Sequence, residues 1–412
     1  MTQTETNDAD VIIVGGGLVG ATLAALLGEA GMTVDMLDAR PAALDAEAAG
    51  RGEAAARVSA ITPVSERLLT HLGVWRWAAE RRVTPYRGMQ VWDGEGSGEI
   101  RFHADEAGVS VLGHIVENEV LLAALERRLA ELPSVRCHYG VRLSALQTPA
   151  RGRRLVLEDG RRLWAPLVVA ADGARSQLRE LAGIAMTSRD TGQAALVTTV
   201  RTARPHGGVA RQVFLATGPL AFLPLTLDDT PHYCSIVWST TPAEAERLAA
   251  LPSAELGEAL RQAFGASLGS VEVVGEMHRF PLVQRHAEHY VEPGLALVGD
   301  AAHSIHPLAG QGVNLGFMDA AVLAEELIEA RRRGVAPGDV RILARYARRR
   351  RGDNAVMLAL MDAFRRLFGA GHPALRLARN LGLSSVDRLT PLKRLMMRQA
   401  VGERGRLPRT CR

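Results

Sequence analysis

The chain has 412 residues, 47% apolar and 23% charged, with 41 Gly and 19 Pro spread along it. These values exclude a small stapled scaffold, a collagen-like or low-complexity chain and a wholly disordered one, and leave one large or two to three ordinary domains. Net charge is +4, yet residues 331–412 hold 21 Arg or Lys against 5 Asp or Glu, so the basicity is C-terminal. It suits an anionic membrane surface or an acidic partner, or else solvated helix faces; no nucleic-acid partner is expected.

The segment before the first apolar run carries Glu5, Asp8 and Asp10 and no base, unlike a secretory signal, and no stretch approaches the roughly 20 apolar residues of a spanning helix. The expectation is a cytoplasmic protein, with peripheral contact at the inner face of the cytoplasmic membrane left open. Residues 10–15 read as a buried strand, 18–30 as a helix and 32–38 as a second strand, a βαβ unit. Helical periodicity follows over 62–72 and 118–132, and a short strand over 135–139. Residues 154–171 read as strands around an Asp159-Gly160 hairpin turn, ending in a buried strand at 167–171. Between 194 and 240 four strand-like segments predict an antiparallel sheet module inserted into the α/β part, followed by a helical stretch over 242–264. A strand over 294–299, a helix over 313–333 and a helical pattern over 340–400 complete the chain. Cys137, Cys234 and Cys411 lie far apart in no metal-ligand pattern, so no metal site is expected.

Three motifs carry chemistry. Gly15, Gly17 and Gly20 form a GxGxxG between a strand and a helix, and Asp38 closes the next strand. Glycines there permit a tight turn and close approach of backbone to a pyrophosphate at the helix start, while the acid accepts from ribose hydroxyls. In VVAADGARSQLREL, Asp172 and Gly173 follow a strand; alone this pattern is either a capped turn or a functional one. In LALVGDAAHSIHPLAGQGVNLGFMDA, Asp300 ends a strand and a loop leads to a helix starting near Gly312 and Val313, where backbone N–H groups can stabilise an anion. His303 and His306 flank this loop, as acid/base groups or as loop-packing residues.

These motifs, in this order and spacing, resemble the group A FAD-dependent aromatic hydroxylases of the para-hydroxybenzoate hydroxylase-like fold. RVSAITPVSERLLTHLGVW, GMQVWD, GHIVENEVL, ARQVF, LAFLPL, CSIVWS and HPLAGQGVNLGFMDAA extend the resemblance over the whole chain to the ubiquinone-biosynthesis hydroxylases. The chain is most similar to the 2-polyprenylphenol 6-hydroxylase type, which acts at ring carbon 5.

The resemblance implies an α/β fold with a Rossmann-like FAD-binding domain (1–75, 101–183 and 290–335), an inserted antiparallel β-sheet substrate domain (76–100 and 184–289) and a C-terminal helical region (336–412). It places Gly15, Gly17, Gly20 and Asp38 on the ADP half of FAD and Arg57 near the pyrophosphate or flavin. Asp172 and Gly173 fall to FAD and NAD(P)H, and Asp300 with Pro307, Gly310, Gly312, Val313 and Asn314 to the ribityl chain and flavin. Most relatives of the wider group have Glu where Asp38 stands. NAD(P)H is implied as a reducing substrate without a second Rossmann domain, O₂ as the oxygen donor and a polyprenylphenol as the acceptor. A quinone-biosynthesis protein complex is an open partner. Phe214, Phe222, Pro224 and Trp238 are candidates to line the substrate pocket, against the reading that they are ordinary strand core. The stretch 357–368 lines an exit for the tail, touches the bilayer, or packs on the FAD domain. No residue is singled out as the base. Another ring carbon of the same pathway, a non-oxygenating reductase or oxidase of the same fold, and a non-enzymatic scaffold remain alternatives.

Overall fold

The computed structural model describes residues 9–304 and 312–369, with side chains through 357 and at 359, and then 393, 397, 398, 400–403 and 405–412. His306, Pro307 and Gly310 lie outside the described residues, as do nearly all side chains of 357–368.

The continuous apolar run at Val11–Val14 has neighbours on both sides and on both faces, and all four residues are buried. It pairs in parallel with Val34–Leu37 and with Leu167–Ala170. The order of the six-stranded sheet is Val135–His138, Val34–Leu37, Val11–Val14, Leu167–Ala170, Leu295–Leu297 and Val291–Glu292, parallel except for the last hairpin. Parallel strands need covering helices. Leu18–Glu29 supplies one, with nine consecutive residues from Gly20 to Gly28 buried. Asn118–Ala130 and Gly312–Arg332 pack beside it, and Val340–Gly369 packs on Gly312–Arg332. The expected βαβ unit and its flanking elements thus appear with ends shifted by one or two residues.

A nine-stranded sheet forms the second layer system. Its central ladder joins Met186–Thr202, Thr230–Thr240, Gly218–Leu227 and Val209–Leu215 in antiparallel pairs, the last three through hairpins. The antiparallel module expected over 194–240 is present, and it is extended at one edge where Val209–Leu215 pairs in parallel with Gly88–Asp93, because those two strands come from distant chain segments rather than from a hairpin. Gly88–Asp93 in turn pairs with Glu99–His103, which keeps the chain in this sheet past residue 100. His278–Ala287 covers the other side of Met186–Thr202 and pairs with the two-residue strand His303–Ser304.

The expected helical stretch 242–264 is two helices, Pro242–Ala249 and Ser253–Phe264. Pro252 lacks the N–H that would continue the first and precedes the second. Both pack on one face of the nine-stranded sheet, with Leu248, Leu256, Leu260 and Phe264 against Leu196, Leu220, Phe222, Ile236 and Trp238. On the opposite face, Ala210, Ala221, Leu223 and Leu225 meet Ala60, Tyr86 and Ile115. Those three come from a small sheet of Val58–Ile61, Val83–Tyr86 and Gly113–Glu117, which ties the two large sheets together. Among the described residues no helix is long and apolar enough to cross a membrane.

Candidate functional site

The functional motifs gather at the C-terminal edge of the parallel sheet. Gly15 follows Val11–Val14 directly, donates its N–H to the Leu37 carbonyl at 2.8 Å and has φ +105°. A Cβ at this position would lie 2.3 Å from the Ala171 carbonyl oxygen, and one at Gly20 would lie 1.9 Å from the Gly15 oxygen. Both glycines are therefore demanded by the packing of strand, turn and helix. Gly17 differs: its φ is −74° and a Cβ there would meet nothing within 4 Å. It opens the helix Leu18–Glu29 with no side-chain cap and no acid in the first turn. Free N–H groups of a helix start, facing open space across a residue without a side chain, are the donor set that a pyrophosphate requires.

Asp38 ends the neighbouring strand. One carboxylate oxygen accepts the Gly16 N–H at 2.7 Å and the other accepts the Arg40 N–H at 2.7 Å. Arg40 also donates from Nε to Asp38 at 3.2 Å, and from a terminal nitrogen to the Gly16 carbonyl at 3.0 Å and to Glu126 at 2.8 Å. Burial opposes the Arg40 charge, but the bonds to Asp38 and Glu126 prevail and raise its pKa. Glu126 uses its second oxygen on the Leu44 N–H at 2.8 Å. Asp38, Arg40 and Glu126 therefore form one bonded group at the end of this strand, where the sequence predicts the ribose contact. Arg40 and Glu126 escaped the sequence reading because their pairing spans 86 positions.

Asp172 accepts from the Ser176 hydroxyl and from the Leu178 N–H at 3.1 Å, and Ser176 in turn caps Gln177–Leu181 through the Arg179 N–H. Burial raises the Asp172 pKa against those hydrogen bonds. Its visible work is that of a helix cap, while Gly173 turns the chain at φ +80° with open space beside its Cα. From the same short helix the buried Arg179 donates to the Ala301 carbonyl at 3.1 Å, joining this turn to the Asp300 turn.

Asp300 lies in the tight turn Gly299–Ala301 that follows Leu295–Leu297. Its side chain reaches solvent, yet the protein packed around it pushes the carboxyl above the usual range; His303 and Arg57 pull down and Asp319 adds to the rise. Arg57 is exposed, with its guanidinium over the Phe280 ring at 5.9 Å. His303 is buried and its Nε2 lies 2.6 Å from an Asp319 carboxylate oxygen. At the start of Gly312–Arg332, Val313 packs against the main core. Asn314 donates to the Ala60 carbonyl at 2.8 Å and accepts the Thr62 N–H at 3.1 Å, so its amide ties the helix to the small sheet.

Comparison with known proteins agrees with this arrangement. The model of the FAD binding domain family matches residues 8–359. The chain is 42% identical to ubiquinone hydroxylase UbiL of Rhodospirillum rubrum, over 96% of this chain and 90% of that protein. It is 39% identical to 3-demethoxyubiquinol 3-hydroxylase of Escherichia coli, over 95% and 98%. This chain belongs to the FAD-dependent hydroxylases of ubiquinone biosynthesis. Its fold is also that of p-nitrophenol 4-monooxygenase PnpA from Pseudomonas putida, with a TM-score of 0.79 at 20% identity over 98% of this chain and 100% of that one.

As a member of this family the protein is a FAD-dependent monooxygenase, and the open helix start at Gly17 fits the cofactor. Of the two readings of the strand residues, pocket lining or ordinary core, the packing of Phe222 and Trp238 matches core. Phe222 and Trp238 face the helix pair: the Phe222 ring centroid lies 3.8 Å from that of Phe264, and both residues belong to the core beneath the helices. Pro224 pairs with Cys234 two positions further along and by alternation shares their face. Phe214 sits apart, in a small cluster with Val91 and Ile100. A strand buried on both faces shows apolar residues on each, so composition alone does not tell which face meets the dinucleotide fold. The face toward the small sheet carries Leu223, Leu225, Tyr233 and Val237.

Proposed function

We propose that this enzyme hydroxylates the ring of a polyprenylphenol in ubiquinone biosynthesis, at carbon 5, with O₂ as oxygen donor and NAD(P)H as reductant. The observation that carries the reading is 42% identity across nearly the full chain to a protein named as a ubiquinone hydroxylase. Gly15, Gly17, Gly20 and Asp38 hold the ADP half of FAD, with Arg57 beside the pyrophosphate or flavin. Asp172 and Gly173 shape the adjoining turn, and Asp300 with the loop from Pro307 to Asn314 holds the ribityl chain and flavin. Bound FAD supplies hydride acceptance and oxygen activation. The chain supplies the uncapped helix start for the pyrophosphate, a second helix start near Gly312 for negative charge on the reduced ring, and a roof that keeps water out. His303, held by Asp319, serves the turn rather than proton transfer.

One dinucleotide fingerprint is visible, so NAD(P)H docks transiently as a substrate. Peripheral contact with the cytoplasmic membrane belongs to the same reading. Much of the basic run in Val340–Gly369 is spent inside the protein, with Arg345 on Glu326, Arg349 on Glu325 and Glu326, and Arg350 on Asp319. Arg348 and Arg351 are exposed along that run, and Arg341 at its start is exposed but paired with Asp339. Sedimentation with anionic liposomes tests this part, and protein remaining in the supernatant rejects it.

A second reading, hydroxylation at another ring carbon, is favoured by the 39% identity to a protein named as a 3-demethoxyubiquinol 3-hydroxylase. Mass spectrometry of quinone-pathway lipids from the source cells with the gene deleted separates the two. Accumulation of a polyprenylphenol lacking the carbon-5 oxygen, reversed by the wild-type protein, supports the first. A later intermediate supports the second, and unchanged ubiquinone counts against both.

A further inference from the structure

The turn that presents Asp300 is gripped by buried charge from two sides. Asp319, fully buried on Gly312–Arg332, accepts the Gly299 N–H at 3.0 Å and meets His303 Nε2 at 2.6 Å with the same oxygen. Its other oxygen accepts from Arg350 Nε at 2.7 Å and from the Asn354 amide at 3.2 Å. Arg350 also donates to the Asn354 oxygen at 2.7 Å, and Asn354 donates to the Tyr290 hydroxyl at 3.4 Å, which meets His286 Nε2 at 2.8 Å. Across the turn, Arg179 holds the Ala301 carbonyl.

Such a network is costly to bury, and Asp319 bonds the residue directly before Asp300, the one that reaches solvent. Gly299 has φ +57°, and the turn's own bond runs from the Ala302 N–H to the Gly299 carbonyl at 2.9 Å, which leaves the Gly299 N–H to an acceptor outside the turn. The Gly299 N–H precedes Asp300 by one residue, so fixing it fixes the direction in which the carboxylate leaves the chain.

We propose that Asp319 is a positioning residue for Asp300: through Gly299 and His303 it holds the turn in the orientation that offers the Asp300 carboxylate to FAD. The proposal rests on the reading of Asp300 as a FAD ligand.

Fluorescence titration of the apoprotein with FAD tests it, using Asp300→Ala, Asp319→Asn and the double variant. Asp300→Ala and Asp319→Asn should each weaken FAD binding about tenfold, and the double variant should fall within about twofold of Asp300→Ala alone, because residues acting as a unit are not additive. The absorption spectrum of flavin bound to Asp319→Asn should shift toward that of Asp300→Ala. Multiplying effects, or an Asp319→Asn protein that binds FAD like wild type while Asp300→Ala does not, overturns the positioning role. Wild-type affinity in Asp300→Ala instead overturns the assignment of Asp300 beneath it. If Asp319→Asn does not fold, His303→Leu replaces it in the same cycle, since it leaves the Asp319–Arg350 pair intact, and the same two outcomes decide.

Discussion

The six-stranded and nine-stranded sheets place function in different parts of a strand. In the parallel sheet the four inner strands are uniformly buried and the candidate cofactor residues follow their C-terminal ends: Gly15, Asp38, Asp172 and Asp300 all lie just beyond a strand, on turns that the sheet aligns. In the nine-stranded sheet the ends are hairpins, and one face is plain core under two helices while the other meets the small sheet. A strand end announces itself by a change of residue type. A strand face does not, when both faces are apolar.

The sharpest way to break this comparison is Gly15→Val. The added side chain enters the Ala171 carbonyl at a φ of +105°, and the expected loss exceeds about 4 kcal/mol, read as a collapse of the urea midpoint of the apoprotein. Phe222→Ala should cost about 3–5 kcal/mol through the cavity left against Phe264, with the KM for the aromatic substrate unchanged in the protein that folds. A raised KM at wild-type stability would return Phe222 to the pocket. Gly17→Ala should change apoprotein stability by no more than about 0.5 kcal/mol, since its backbone is ordinary and its surroundings open. FAD affinity should nevertheless fall about tenfold, or roughly 1.4 kcal/mol. A large stability loss with intact affinity would make that turn merely structural.

The smallest effects lie in pH. His303 and Arg350 outweigh burial and hold the Asp319 carboxyl down, from 3.8 to about 2. The stability it contributes is fully present above pH 3.8 and is lost as pH falls through about 2, which acid unfolding of Asp319→Asn against wild type would check. Burial moves Asp300 the other way. An ionised carboxylate accepts a hydroxyl hydrogen bond more strongly than a protonated one, so FAD affinity should decline with falling pH while Asp319 is still charged. FAD titrations between neutral and mildly acidic pH would show that decline, and a flat profile would contradict it.

The parts of the site carried by consecutive residues were legible without coordinates. The GxGxxG turn, the acid closing the second strand and the glycine-aspartate turn after 295–297 each need only local order, because hydrogen bonding and steric demand act over a few positions. Helix and strand types followed from periodicity for the same reason. Val58–Ile61 and Gly113–Glu117 lie outside the strands that the sequence predicts, since each is short and owes its form to pairing within the small sheet.

What the sequence by itself determined is therefore the dinucleotide fold, the motifs at its strand ends and membership of a flavin hydroxylase family. Only the tertiary structure decided that Arg40 bridges Asp38 and Glu126, that Arg179 reaches Ala301, that Asn314 ties a helix to Thr62 and that Asp319 takes His303. It also decided that Phe222 and Trp238 turn toward helices. Those contacts join residues up to 252 positions apart, and the partner of a buried polar group is set by how the chain closes on itself rather than by any pattern around it.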